Sequence, residues 1–492
     1  MKRSMSRRRF VSDAAVLAAG VGTVVSGPWA EASSRDGATA PVTQAVITDF
    51  GAKGDGRTLN TQAIQSAIDA CAARGGGTVV IPPGEFLSGT CELKSRITLY
   101  LAPGAVLRGS GNLTDYPPVP FRHNELGETR SLLYAIGQSD VRLAGEGTVD
   151  LNDKPFMDWD EPVTGPGFPP ETLAQYDTRQ RNEATVRARP RPTQPIFFHN
   201  CRRLSFEDIL IRNAPCWTIS VSTSRDVKVR GMTIDNSLRV PNNDGIHFSS
   251  CQDVIVSDCV FSCGDDCIAV TCASNYDVVC ERVVIANCTL VSRSAAVRLG
   301  YQQSRVRDVV INNLVISDTN RALGIFAGEG GWVENVVASN LTIHTRLIGG
   351  AWWGGGEPLV ISAADSPTAR IAGIAVRNVR ARSENGIVLV GCQGNVRDID
   401  LTDWNLAVAY GQNRPLMGRV VGLQPASVRV APDPEQHIPW LYADEVADVR
   451  LRQIRFGRQH DETKSFSMEP ILRQSPDVEP TDVRENCIVP RA

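Results

Sequence analysis

The chain has 492 residues, 42% of them hydrophobic, and a net charge of −3. That apolar content supports a large buried core and excludes a disordered tail, and the balanced charge lacks the basic footprint of a nucleic-acid binder. Length alone predicts roughly two to four domains, unless a repeat extends one core along an axis; 42 glycines, 29 prolines and 6% aromatics favour many turns over long helices.

Residues 1–32 read as an export signal rather than as part of the fold. Ser6-Arg7-Arg8-Arg9-Phe10-Val11 matches a twin-arginine pattern, an apolar stretch from Ala14 to Val25 follows, and small residues around Ala30 and Ala32 offer cleavage sites. About 12 apolar residues are too few to cross a bilayer. The expected product is exported, periplasmic or extracellular, with no membrane span once the signal is removed. Next, Asn60 to Ala73 carries helical spacing, with Asn60 placed as N-cap and Gly75 just past the end. This helix is expected to cap the first coil of the repeat that follows. Pro155 to Thr193, rich in Pro, Arg and Glu, reads as an excursion beside the main body.

The strongest internal signal is a repeat. Runs such as Asp226-Val227-Lys228-Val229-Arg230-Gly231-Met232-Thr233-Ile234 recur with their second residue at Leu204, Val227, Val254, Val283, Val309 and Val336, 23–29 residues apart. Weaker copies lie near Ile374 and Ile399, and Val449 begins a last one. Each unit alternates apolar and polar residues, turns a corner and alternates again, as two short strands do. A period of this length without a helix per unit indicates a parallel β-solenoid. Asn213, Asn236, Asn287, Asn313 and Asn340 fall at corners, where asparagine tolerates a left-handed bend and can bond along the stack. The expected helix spans 45–458, with 459–492 as a tail.

Thirteen cysteines, an odd number, leave at least one thiol unpaired. No zinc-ribbon spacing is present, and Cys263 and Cys267 beside carboxylates make a poor zinc set. Most read as small buried residues of a stacked core.

Acids break the pattern in Asn242-Asn243-Asp244-Gly245-Ile246-His247 and in Cys263-Gly264-Asp265-Asp266-Cys267. Asp244 and Asp265 are close to one period apart, so they fall on adjacent coils, about 4.8 Å from each other. Asp-Gly and Asp-Asp are ordinary turn residues, and a carboxylate cluster also suits calcium. Two acidic corners in register instead favour a crowded site in which like charges keep one carboxyl protonated. An acid beside a base is what glycosidic cleavage requires.

Asn242-x-Asp244 and Gly264-Asp265-Asp266-Cys267 resemble the N-x-D and G/Q-D-D motifs of family 28 glycoside hydrolases, the polygalacturonase and rhamnogalacturonan hydrolase group. Asn213-Ala214-Pro215-Cys216-Trp217 is similar to its N-S-P-x-W stretch, and Arg191-Pro192, Asp49 to Gly56 and Gly75 to Val79 also resemble it. The resemblance covers roughly residues 45 to 455. It implies an all-β fold, a single-stranded right-handed parallel β-helix of the pectin-lyase-like kind with an N-terminal capping helix. It also implies a polysaccharide or oligosaccharide substrate, no metal and no cofactor. Asp265 would be the general acid, and Asp244 with Asp266 would hold and activate water, giving inversion.

The chain departs from that family where it would grip the sugar. The family's G-H-G reads Ser294-Ala295-Ala296 here, and both basic residues of R-I-K are missing near Leu323 to Ala327. Arg298 or His247 is expected to substitute. Asn242, Tyr301, Glu329 in the Gly-rich loop from Phe326 to Trp332, paired Trp352 and Trp353, and Glu357 complete the expected substrate contacts. Two rival readings are a polysaccharide lyase and a carbohydrate-binding solenoid without catalysis.

Overall fold

The computed structural model describes residues 44–162, 182–272, 278–348, 354–409, 411, 437–458 and 467–485. Residues 1–32, read above as an expected export signal, and Trp352 and Trp353 lie outside them. The rest forms a right-handed parallel β-helix. Its coils build a back assembly of 22 strands and a front sheet of 12, each coil of the front sheet pairing in parallel with the next. One coil runs Arg202–Glu207, Leu210–Arg212, then across the front as Ile219–Ser222. Further along, the two back strands merge into single long ones such as Arg305–Thr319 and Trp332–Thr345.

The repeat read from the sequence is the register of the back wall. Leu204 pairs with Val227, and the column continues through Val254, Val283, Val309, Val336, Ile374, Ile399 and Val449. All nine are at most 1% exposed. A Val or Ile removed from water contributes about 1.5–3 kcal/mol, so the column stabilises every coil against its neighbours.

The first residue of each repeat, Arg203, Asp226, Asp253, Arg282, Asp308 and Asn335, is left-handed, with φ of 55–60°. A second left-handed column passes through Asp208, Gly231, Asp258, Asn287, Asn313 and Asn340. Short polar side chains tolerate this bend where branched ones do not. They also bond along the stack: Asn287 donates to Asp258 (3.2 Å), Asn313 to Asn287 (2.8 Å) and Asn378 to Asn340 (2.6 Å). Asn236 is the exception among the expected corner residues. It is buried, accepts from Ala214 N (3.0 Å) and donates to Thr218 Oγ1 (2.8 Å), bracing the loop that carries Asp244.

Both ends differ from expectation in detail. The helix spans Thr61–Ala73 and buries Ile64, Ala67, Ile68 and Cys71. Asn60 precedes it without capping it, because its amide is used instead on Lys53 N (2.7 Å) and Thr58 O (2.7 Å). At the other end, 459–492 is not simply a tail. Ile471–Arg473 joins the front sheet beside Leu441–Asp444, and Val478–Glu485 joins the back beside Val446–Arg458. Among the described residues no strand stacks beyond this last coil, so its residues stay mostly exposed and polar and show no apolar period.

Within the excursion, Met157–Pro162 pairs antiparallel with Val186–Ala188. The twelve described cysteines are all free; eleven are buried and Cys392 is part-exposed. No described helix is long and apolar enough to cross a membrane.

Candidate active site

Ile246–Ser249 and Ile268–Thr271 are neighbouring front strands, with Ile246 beside Ile268. Followed two residues back, that register sets Asp244 beside Asp266. Asp244, Asp265 and Asp266 each bring a carboxylate oxygen within 4.8 Å of the others. The loops can come this close because two motif residues lack side chains. A Cβ on Gly245 would lie 2.4 Å from Cys267 O, and one on Gly264 would lie 2.5 Å from Val240 O. Asn243 ties the loops together, accepting from Gly264 N (2.6 Å) and donating to Ser237 O (2.8 Å). Gly245 N donates to Asp266 O (2.8 Å) and Ser292 Oγ to Asp265 O (2.7 Å).

The three carboxylates are 2%, 8% and 3% exposed in the order Asp244, Asp265, Asp266. Burial, then the neighbouring Asp265 and Asp266, pushes Asp244 well above the usual carboxylate range. Burial, then Asp266, raises Asp265 to about 7. The Arg298 guanidinium pulls both back down. Asp265 therefore keeps its proton up to about neutrality among carboxylates in close contact with it, which gives the site an acid and a base at once. Asp266 is fixed by Arg298 Nε and by Ala295 N (3.0 Å), whereas Asp244 Oδ1 is buried without a hydrogen-bond partner. By donor chemistry alone the three acids suit a hard cation. Arg298 already sets a positive charge against Asp266 there.

The expected binding residues divide. Arg298 is close at hand, but its guanidinium is committed to Asp266 and lies 5.4 Å over the Tyr301 ring. His247 is 3% exposed, accepts or donates at Nε2 with Thr271 Oγ1 (3.0 Å), and stacks on Trp217 at 3.9 Å. Burial lowers its pKa well below the ordinary value, so the ring is neutral and its Nδ1, 3.7 Å from Asp244, forms no ion pair. Asn242 is exposed and accepts from Arg191 Nη2 (3.2 Å), while Arg191 Nη1 donates to Pro215 O and Pro241 O. Glu329 is exposed and lines a cavity of about 300 Å³ with Tyr301, Gln302, Gln303, Phe326, Ala327, Gly328, Ser362 and Asp365.

Glu357 is a correction. It is 0% exposed and faces Arg321 (1%) across adjacent coils, Nη2 to Oε1 at 3.3 Å, while Gly355 N donates to Oε2 (2.7 Å). Its charge is satisfied within the wall, where no sugar reaches it. Ala295 pairs with Arg321 in register, so a methyl group stands between Asp266 and this ion pair. In the Leu323 to Ala327 stretch, the outward positions are Gly324 and Phe326. Arg298 sits one coil earlier beside Gly324, and Arg321 lies over the Phe326 ring at 5.2 Å.

One component was not anticipated from the sequence. Pro118–His123 and Gly127–Arg130 form an antiparallel hairpin on the front sheet. Phe121 packs on Phe197 (4.8 Å) and His199 (4.6 Å), and His123 meets Trp217 edge-on at 4.9 Å. Its tip residues His123, Asn124 and Glu125 share a narrow recess with Trp217, His247 and Tyr301. The short alternating run before Asn124 and the Gly127 turn were the available signal.

Comparison with known proteins gives a match of residues 179–416 to the family described as glycosyl hydrolases family 28. Residues 45–114 match a family described as rhamnogalacturonase A/epimerase, pectate lyase-like. A probable polygalacturonase of Vitis vinifera is 28% identical over 321 residues, 61% of each chain. An exo-poly-alpha-D-galacturonosidase of Dickeya chrysanthemi is 32% identical over 253 residues, 45% of this chain and 41% of that protein. The match thus spans less than two thirds of either relative. Among solved structures, a family 28 exopolygalacturonase of Yersinia enterocolitica superposes with a TM-score of 0.65 at 22% identity, covering 90% of this chain and 80% of the other. A hyperthermoactive exopolygalacturonase of Thermotoga maritima gives 0.58 at 24%, covering 75% and 88%. These two likenesses bear on the fold alone.

Proposed function

On the match of residues 179–416 to family 28 of the glycosyl hydrolases, we propose that this chain belongs to that family and hydrolyses O-glycosidic bonds in a pectin-type polysaccharide or oligosaccharide. The observation that carries the reading is the set of three buried carboxylates in register on two coils, with Asp265 raised to about 7. Asp265 is the most exposed of the three at 8%, so it is the group that reaches a leaving-group oxygen and protonates it. Asp244, with its unpartnered Oδ1, and Asp266, oriented by Arg298, hold a water between them. That water attacks the anomeric carbon as the glycosidic C–O bond breaks, and its proton passes to the Asp244 and Asp266 pair. The relatives' names point to galacturonan as the substrate class.

The stereochemical outcome we propose is inversion by single displacement. The oxygens approach within 4.8 Å, shorter than the roughly 6.5–9.5 Å of ordinary two-carboxylate inverting sites and near the ~5–5.5 Å of retaining ones. A third carboxylate changes that count, because water is held by a pair and no single acid needs to leave room for it. The test is a screen of plant polysaccharides for new reducing ends, beside Asp265→Asn, with proton NMR of the first-formed anomer. Full activity in the variant overturns the acid assignment. A retained anomer overturns the single displacement, and a product absorbing in the ultraviolet as a 4,5-unsaturated sugar overturns hydrolysis itself.

We further propose that residues 1–32 direct twin-arginine export. The free cysteines support it, since such a fold needs no oxidising compartment to form. Arg7→Lys with Arg8→Lys should hold the protein in the cytoplasm, and unchanged export would refute the reading. Asn242, Tyr301, Trp352 and Trp353 stand as proposed sugar contacts, each tested by the rise in KM on replacement by alanine; Glu329 lines the neighbouring cavity.

A further inference from the structure

We propose that the cavity beyond Tyr301 is a subsite for an uncharged pyranosyl residue, either a neutral sugar or an esterified uronate, and that Glu329 and Asp365 exclude a free uronate from it. The inference rests on the glycosidase reading of the aspartates and concerns which sugar that machinery meets.

The cavity is built on the coils that follow the aspartates. Tyr301 joins it to the recess beside His247, and the Tyr301 ring underlies Arg298, which is bound to Asp266. Its volume of about 300 Å³ lies at the lower bound of small-ligand sites, roughly 300–1,000 Å³. Gln302, Gln303 and Ser362 offer the amide and hydroxyl chemistry that sugar hydroxyls accept, and Phe326 offers a ring. The described lining contains two carboxylates, Glu329 and Asp365, and no Lys, Arg or His. Neither acid forms an ion pair among the described residues, and both are exposed.

A carboxylate on the sugar would thus meet like charges without a counter-charge. Arg298 cannot turn toward it without abandoning Asp266. Arg321 is closed off with Glu357. The outward positions that could carry a basic pair hold Gly324 and Phe326, in register with Val360 and Ser362. Discrimination against an unpaired charge of this kind works by repulsion as well as by contact.

The experiment compares kcat/KM at pH 7 and low salt for an oligogalacturonide, its methyl ester and a neutral oligosaccharide of equal length. At least a tenfold preference for one or both uncharged forms is expected, and which of them is preferred identifies the source. Glu329→Gln with Asp365→Asn should narrow the preference, read as the ratio of kcat/KM on the uncharged forms to kcat/KM on the free acid, about tenfold. Preference for the free acid, or a double variant with an unchanged ratio, overturns the proposal. A parallel calorimetric titration of Asp265→Asn needs no turnover, so it separates failure of this subsite from failure of the hydrolase reading. If that protein binds no uncharged oligosaccharide, the subsite assignment falls.

Discussion

Asp266 and Glu357 occupy the same column at the head of the front sheet, three coils apart, and their surroundings are opposite. Around Asp266 the adjacent coil contributes Asp244, so like charges stack, and the cluster keeps a proton near neutrality. Around Glu357 the adjacent coil contributes Arg321, so opposite charges stack and close off from solvent. Solenoid register therefore acts as an electrostatic rule. Alternating signs along a column seal the wall, and repeated signs leave it reactive at some cost in stability.

The comparison can be broken first at its catalytic end. Asp265→Asn should lower kcat by about 10²–10⁴-fold, measured as new reducing ends. The unfolding midpoint should stay level or rise, because the variant removes a charge from a crowded buried group. At the structural end, Glu357→Gln removes the carboxylate charge that faces the Arg321 guanidinium at 1% exposure. A loss of about 3–5 kcal/mol is expected in denaturant titration, and a loss below about 1 kcal/mol would show that Arg321 is satisfied by other partners.

Smaller effects sharpen the contrast. Arg298 lowers both Asp244 and Asp265, so Arg298→Met should move the basic limb of kcat/KM from about pH 7 upward, with Arg298→Lys restoring part of the shift. An unmoved limb would remove Arg298 from the site's electrostatics. Stability carries the same sign. Asp265 rises from 3.8 to about 7 on folding, so between these values the folded state holds more protons than the unfolded one. Its contribution is present below about pH 4 and is lost as pH rises through 7. Asp265→Asn should flatten that slope in chemical unfolding at pH 4, 5.5 and 7.

The back wall was legible because its strands alternate. Val227, Val229 and their equivalents face inward between exposed polar residues, and the period follows directly. Front strands such as Ile246–Ser249 and Ile268–Thr271 are buried at every position, so no alternation marks them. The three aspartates could still be located, since a spacing of one period brings acids together whatever the sheet does laterally. Glu357 could not be told from a cleft acid without Arg321, which lies 36 residues earlier. The hairpin from Pro118 to Arg130 was hidden for another reason: its packing partners Phe197, His199 and Trp217 come from later coils.

The outward column of the front sheet, Ser220, His247, Ala269, Arg298, Gly324 and Val360, holds one residue per coil. Neighbours in it are separated by the strand spacing of about 4.8 Å, while the core columns behind it are set by other positions. Under the proposed hydrolase reading, a polymer lying along the axis would therefore meet a different coil at each step. Exchanging an outward residue changes that face of one coil while the inward stack is set by other positions. In such an architecture, new specificities can accumulate coil by coil without the fold having to be reinvented.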